Sequence, residues 1–292
     1  MAPRPIPFPV QTSPGAASQE AGGRIVNGYV EELGDKAPNK TVIRRAPGLV
    51  NFGTSARSGY RGAIVVQNVL YAAFNGKLEK WTSAGGTSTN VGNLNGDKRG
   101  FFAANNNTTP HKVFVDPDGN IATFTPSAVT NSYPDADLPA VNSVDFLDGY
   151  LVFTTGDGRA FATDLNSTSV NALSFGKAES KPDGLLRVVS WGGRLLFFGS
   201  ITTEVWTDAG TTPFPFERNT VIARGLAGPH CVSGHEDGFS RGPIWVTDDD
   251  TVVKLDGYTP VKVSTPDIER RIAAVSDKTT LEATSFMCDG HA

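Results

Sequence analysis

The sequence predicts an all-β fold: a β-propeller-like array of antiparallel blades with an extended N-terminal arm and a short helical insertion near 266–284. Composition is the first ground. The 292 residues hold 27 Val and 28 Thr against 17 Leu and 2 Met, with 32 Gly and 19 Pro. β-Branched side chains fit a pleated, half-buried surface, and Gly and Pro punctuate turns. The second ground is a recurring unit: an apolar strand, a short polar or Gly turn, and an alternating strand. The third is its spacing, with the first strand of each unit beginning near 69, 113, 150, 195 and 244. Steps of 44, 37, 45 and 49 residues match the ~40–50-residue period of a propeller blade. A plain β-sandwich is the alternative, but its turn signals recur every ~8–12 residues without a longer period.

Residues 1–23 form the arm, with five prolines in the first fourteen positions and then small polar residues and a Gly pair. Alternating prolines favour an extended polyproline II path. Two readings stand side by side, a disordered tail and a strap lying on a neighbouring subunit. Residues 24–292 then make one propeller-like domain. The five hairpins are VLYAAFNGKLEKW (69–81), KVFVDPDGNIATF (112–124), YLVFTTGDGRAFAT (150–163), RLLFFGSITTEVWT (194–207) and PIWVTDDDTVVKLDG (243–257). Their turns carry Asn, Asp, Gly and Ser, which supply the positive-φ or side-chain-bonded positions that hairpins require. Weaker strands at 87–94, 140–148, 183–191 and 258–265 complete the blades, and Gly192-Gly193 marks a further tight hairpin.

One segment departs from the β pattern. Thr265 suits a helix cap, Pro266 the first helical position and Asp267 the N-terminal dipole, while Ile268, Ile272 and Val275 share a face. The spacing predicts a helix over 266–275 with a second turn at 277–284, projecting from the blades. LEATSFMCDGHA (281–292) reads as the opening strand and turn of another hairpin that lacks its return strand, as in a propeller cut short.

The same numbers exclude several classes. Twenty-six basic against thirty acidic residues leave a net charge of −4, without the basic excess that phosphate backbones attract. The longest apolar stretch, 185–198, is broken by Arg187 and Arg194, short of the ~20 residues that cross a bilayer. Cys231 and Cys288 lie 57 residues apart, no disulfide framework, and fit a reducing compartment. Prolines at 3, 5, 7 and 9 interrupt any signal-peptide core.

Catalytic motifs are absent: no G-x-S-x-G elbow, no phosphate-binding P-loop and no H-E-x-x-H. Asp116–Asn120 resembles the start of a calcium loop, but Pro117 and the missing later Glu argue against it, and Asp248–Asp250 reads as an acidic hairpin tip. His230, Cys231 and His235 offer three zinc ligands within six residues, yet a buried Cys with surface histidines is the simpler account. No catalytic, cofactor-binding or metal residue is assigned.

Two stretches resemble a known family. IVNGYVEEL (25–33) with TVIRRAPGLVNFG (41–53) looks like the opening of phage tail hub proteins. FGKAESKPDGLLRVVSWGGRLLFFGSITTEVWTDAGTTPFPFER (175–218), with its Ala-Glu-Ser-x-Pro-Asp-Gly and its Phe-Gly-Ser…Thr-x-Glu series, is similar to the packaged-DNA stabilisation, or head-closure, proteins of short-tailed phages. The resemblance runs in patches over about 25–290, and family chains usually extend well past this one, which leaves blade number and distal contacts open. It implies a non-enzymatic virion protein at the head–tail junction, assembled in the host cytoplasm. It also implies a homo-oligomeric, six-fold ring beneath the portal and adaptor rings, which closes the channel after packaging and seats a tail needle or distal tail protein. Packaged DNA would pass without specific binding, consistent with a mildly acidic chain. Candidate inter-subunit contacts are the arm, Arg44, Arg45 and the 179–184 loop with Glu179, Pro182, Asp183 and Gly184. A solvated strand pair and a tight inter-strand turn account for these residues equally well. The alternative function is a carbohydrate- or protein-binding propeller module of a tail or secreted protein. The third, a propeller hydrolase, is disfavoured by the missing motifs.

Overall fold

Five times in succession the chain lays down four strands that pair antiparallel in sequence order. This computed structural model describes residues 25–33, 37, 40–236, 238–239 and 241–287, so the arm expected over 1–23 lies outside the described residues. Blade 1 comprises Gly62–Val66, Val69–Phe74, Lys77–Trp81 and Thr89–Asn93. Blade 2 comprises Phe101–Ala104, Lys112–Val115, Ile121–Phe124 and Val129–Thr130. Blade 3 holds Ser143–Leu147, Tyr150–Thr154, Arg159–Thr163 and Val170–Lys177. Blade 4 holds Arg187–Trp191, Arg194–Phe198, Thr203–Asp208 and Phe216–Ile222. Blade 5 holds Val232–Ser233, Ile244–Val246, Val252–Asp256 and Thr259–Lys262. The five hairpins read from the sequence are the second and third strands of each blade.

Turn chemistry sets these meanders. Gln67-Asn68, Asp148-Gly149 and Gly192-Gly193 each place two consecutive residues at positive φ, the two-residue turn whose twist matches that of its flanking strands. The second hairpins of blades 2, 3 and 5 repeat another device. The N–H groups of Asp116, Thr155 and Thr247 donate to the carbonyls of Asn120, Arg159 and Thr251, and those of Gly119, Gly158 and Asp250 donate back. The three back-donors sit at φ +87, +88 and +63, a left-handed position that Gly fills at least cost and Asp tolerates.

The blades stand side by side rather than in two layers. In blade 4 successive side chains of one strand serve two neighbours. Leu195 and Phe197 join Val152, Ala160 and Ala162 of blade 3 in one core, while Leu196 and Phe198 join Trp245, Val253 and Leu255 of blade 5 in another. This explains why second strands read as unbroken apolar runs: both faces are buried. Blades 1 and 2 share the core around Tyr71, Leu78 and Phe114, and blades 2 and 3 the core around Val113, Leu151 and Phe153. First strands of neighbouring blades lie against one another from blade 1 to blade 4. Their inner edge is not left open: Ser143 Oγ accepts from the Val188 N–H at 3.2 Å and Asp145 Oδ2 from the Ser190 N–H at 2.6 Å. Side chains of blade 3 thereby satisfy edge amides of blade 4 that would otherwise lack acceptors.

Two further pairings lie outside the blades: a hairpin of Gly28–Glu32 with Thr41–Arg45, and a short parallel pair of Gly53–Thr54 with Gly86–Thr87. The helix is Pro266–Ala273, followed by a single tight turn at Lys278–Thr280. Two details differ from the sequence reading. Thr265 occupies the N-cap position without a side-chain cap bond, while Ser264 Oγ donates to Glu269 Oε1 at 2.7 Å. Only Ile272 of the expected face is buried, and Ile268 stays 40% exposed, because the helix packs through a single turn. Residues 281–287 form no strand; they run past blade 5, where the Ala283 N–H donates to the His230 carbonyl at 2.9 Å.

Trp245, 1% exposed, packs edge-on against Phe198 and donates its indole N–H to the Gly225 carbonyl at 3.1 Å. Trp245→Ala is expected to cost about 3–5 kcal/mol in chemical denaturation, as large-to-small core changes do; a loss below ~1 kcal/mol would contradict shared packing between blades 4 and 5.

Candidate functional site

At the end of the array where second strands turn into third strands, the residues that carry the family resemblance converge. Asp183 precedes the first strand of blade 4, and its Oδ2 accepts the N–H groups of Ile201 at 2.8 Å and Thr202 at 2.9 Å, in the turn between that blade's middle strands. Ser200 Oγ returns a bond to the Asp183 carbonyl at 3.2 Å. Glu204, 2% exposed, accepts from the Ser180 N–H and the Trp206 indole, each at 2.9 Å. A buried carboxylate is tolerable only when so partnered, and Arg218 Nη1 lies 3.4 Å from the same Oε1 that the Ser180 N–H reaches. Gly184 sits at φ +61, and a Cβ there would meet the Gly156 carbonyl oxygen of the blade 3 turn at 2.4 Å. Gly225 backs onto Ser200, with a Cβ position 2.2 Å from its carbonyl, and donates its N–H to Asp248 Oδ1 at 3.2 Å. Segments 178–184, 199–204 and 224–228 thus join the turns of blades 3, 4 and 5 into one rigid surface.

Of the residues singled out from sequence, Asp183 and Gly184 shape this loop from inside, while Glu179 and Pro182 are exposed on its crest, Glu179 paired with Lys177. The loop and the blade 3 turn enclose a cleft of about 550 Å³ that includes Lys181 and Asp157. Arg44 and Arg45 lie elsewhere, on the Thr41–Arg45 strand. Arg44 is held by Glu31 across the hairpin, and Arg45 borders a groove with Tyr29, Arg241, Lys254 and Phe286. Beyond that strand Leu49, Val50 and Phe52 are 103%, 92% and 47% exposed, an apolar run beside two arginines.

A third feature escaped the sequence reading. The first strands of all five blades wall an axial cavity of about 440 Å³. Its charged residues are anchored: Arg61 Nη2 meets Asp116 Oδ2 at 3.0 Å, with both side chains sealed from solvent. Arg187 Nη1 donates to the Pro229 carbonyl at 3.2 Å, and its guanidinium lies 4.7 Å from the centre of the Phe101 ring. Burial lowers the Arg187 pKa to about 10 against the pull of Asp145 and Glu236, and pushes the Asp145 carboxyl up to about 6. Burial, helped by Arg187 and Arg99, holds His230 near 4, so this ring is neutral where it stacks on Phe101. The available signal was a lone charge inside an apolar strand, as in LLRVV and SVDFL. The zinc reading of 230–235 resolves into separate roles, with Cys231 Sγ bonded to the Gly228 carbonyl at 3.0 Å. Among the described residues no three His, Cys, Asp or Glu side chains gather to hold a metal.

Asp183→Ala removes the acceptor of two backbone amides and is expected to cost about 1.5–3 kcal/mol in urea unfolding, with Asp183→Asn recovering part of it. An unchanged midpoint for the Ala variant would mean the loop does not depend on this carboxylate.

The tail hub protein gp10 of Salmonella phage P22 is 25% identical over 185 residues, covering 60% of this chain and 38% of that relative. The chain therefore spans well under half the length of the curated relative it matches. Among solved structures, the WD40 domain of Neurospora crassa Pan2 aligns with a TM-score of 0.50 at 8% identity, over 71% of this chain and 66% of that one. The RRP9 WD40 repeats align at 0.48 and 12% identity, over 71% and 63%. The Pan2 likeness bears on the fold alone and agrees with the blades described above. A family model described as "Bacteriophage P22 Gp10, beta-propeller" matches residues 31–289, nearly the whole described propeller, and the chain belongs to that family.

Proposed function

We propose that this chain is a non-enzymatic structural subunit of a phage tail hub. In this reading it assembles as a six-fold ring at the head–tail junction, below the portal and adaptor rings, in the host cytoplasm. There it closes the channel once the genome is packaged and seats the tail needle or distal tail. Family membership supports the virion role. The observation that carries the contact is the surface beside the Thr41–Arg45 strand, where Leu49 and Val50 are almost wholly exposed next to Arg44 and Arg45. Contiguous exposed apolar side chains rimmed by charge are characteristic of protein-binding surfaces. The 179–184 loop, with Glu179 and Pro182 outward and Asp183 and Gly184 holding its shape, is the second proposed contact. Heterologous contacts repeated around an axis close into a ring when the rotation divides a full turn.

The stiffness such a ring needs follows from blades that bury both faces on one another. A net charge of −4 gives passing DNA little to adhere to. Exposed tryptophans at the blade tops would favour the carbohydrate-binding alternative. Trp81, Trp206 and Trp245 are instead 7%, 8% and 1% exposed, and Trp191 is half-buried.

Light-scattering sizing of the purified protein, alone and with a portal–adaptor assembly, tests this. Higher assembly or docking is expected, and Leu49→Asp with Val50→Asp should weaken it at least about tenfold, as loss of two apolar anchors implies. The melting temperature of that variant should stay unchanged. A strictly monomeric chain that ignores the connector would overturn the proposal.

A further inference from the structure

Opposite charges are sorted between two parts of the array. Positions 113–176, which build most of blades 2 and 3, hold eight aspartates and one basic residue, Arg159. Three exposed carboxylates gather where blade 3 meets blade 4. Asp148 follows the first strand of blade 3, Asp164 its third, and Asp208 ends the third strand of blade 4. Burial first, and then Asp208, Asp148 and Asp164, raise the Tyr150 hydroxyl pKa, so the three surround one ring. Among the described residues none of them is paired with a cation. Two apolar side chains stand beside them, Leu165 at 60% and Leu173 at 83% exposure. Register forces Leu173 outward: between the pairs Phe161↔Phe175 and Thr163↔Val170, the outer strand carries residues 171–174 opposite Ala162 alone. A bulge of this kind re-aims side chains at a sheet edge. Blade 3 therefore presents an acidic knob with two leucines.

The complement lies beside blade 5. A groove of about 890 Å³ separates the Gly28–Glu32 and Thr41–Arg45 hairpin from the face of blade 5 that carries Ile244 and Lys254. That face is turned away from blade 4, because Trp245 and Val253 alternate with these residues and fill the core shared with blade 4. Arg45, Arg241 and Lys254 line the groove, and among the described residues no carboxylate lines it and none of the three cations is ion-paired. Tyr29, Phe239 and Phe286 supply its aromatic surface. Knob and groove lie at the same end of the array, where first strands lead into second strands, and two blades apart. Two different surfaces at one level, turned apart, are what a heterologous contact needs in order to repeat around an axis.

We propose that the groove beside blade 5 receives the acidic knob of blade 3 from a second copy of this chain, Arg45, Arg241 and Lys254 meeting Asp148, Asp164 and Asp208 while Leu165 and Leu173 reach the aromatic surface. The inference rests on the ring reading above and gives that ring a subunit interface. Unpaired charges of one sign on each surface steer the correct faces together and oppose like-to-like contacts.

Sedimentation velocity of two charge-reversed forms of the full chain tests the contact. One reverses the groove, Arg241→Glu with Lys254→Glu, and the other reverses the knob, Asp164→Lys with Asp208→Lys. The unaltered protein is expected to self-associate, less so as salt rises from about 0.05 to about 0.5 M. Each reversed form alone should associate at least about tenfold more weakly. An equimolar mixture of the two should recover assembly, because every reversed surface then meets its complement on the neighbour. Melting temperatures show that the variants remain folded, and Leu173→Ser, an exposed change that alters no charge, should also weaken association. Full assembly of either reversed form alone would overturn this contact and leave the ring standing, the groove then serving another virion protein. A mixture that fails to recover would overturn it as well. So would an unaltered protein that stays monomeric, in which case docking on the portal–adaptor assembly decides the ring reading separately.

Discussion

A four-stranded sheet with apolar side chains on both faces cannot be stable alone, and this constraint organises the whole molecule. Each middle strand here, such as Arg194–Phe198, projects large side chains to both sides, so each blade requires a neighbour on each side. Sheets that share faces in this way stand radially, and their first strands converge on an axis. The convergence brings inner-edge amides close together, and side chains such as Ser143 and Asp145 then supply acceptors that a flat sheet would find in another strand.

The two ends of the inner strands follow from that arrangement. Where they begin, connectors from one blade pass over the turns of the next, and close approaches at Gly184 and Gly225 leave no room for a side chain. The family motif is best understood as the chemistry of this crossing: Asp183 and Glu204 serve backbone amides first, and present a surface only as a consequence. Along the axis the strands cannot pack tightly against one another, and a polar cavity remains in which Arg61, Arg187 and Asp145 are held by the blades themselves.

The sequence disclosed the parts governed by local chemistry. Turn residues and apolar runs located all five middle hairpins, and the fourth strands of blades 1 and 5 and first strands of blades 3 and 4 were also visible. The first strands of blades 1, 2 and 5 and the outer strands of blades 2, 3 and 4 were not. Val232–Ser233 is too short to show a pattern, and outer strands such as Phe216–Ile222 are mostly solvated and carry little apolar signal. The helix was placed correctly by Pro266 and Asp267, but its burial depends on what lies beneath it, which spacing does not reveal. The 175–218 stretch identified its family without disclosing that its motifs meet in space, because Asp183 and Thr202 are joined only once blade 4 has folded. The axial cavity was illegible for the same reason: its walls come from five distant segments.

Interdependence of neighbouring blades is therefore the central claim, and hydrogen–deuterium exchange on a Phe197→Ala variant tests it most directly. Phe197 sits in the core shared by blades 3 and 4 and meets Trp206 edge-on at 5.6 Å. Loss of protection is expected in the blade 3 hairpin at 150–163 as well as throughout blade 4. Faster exchange confined to 194–207, with blade 3 unaffected, would contradict the account.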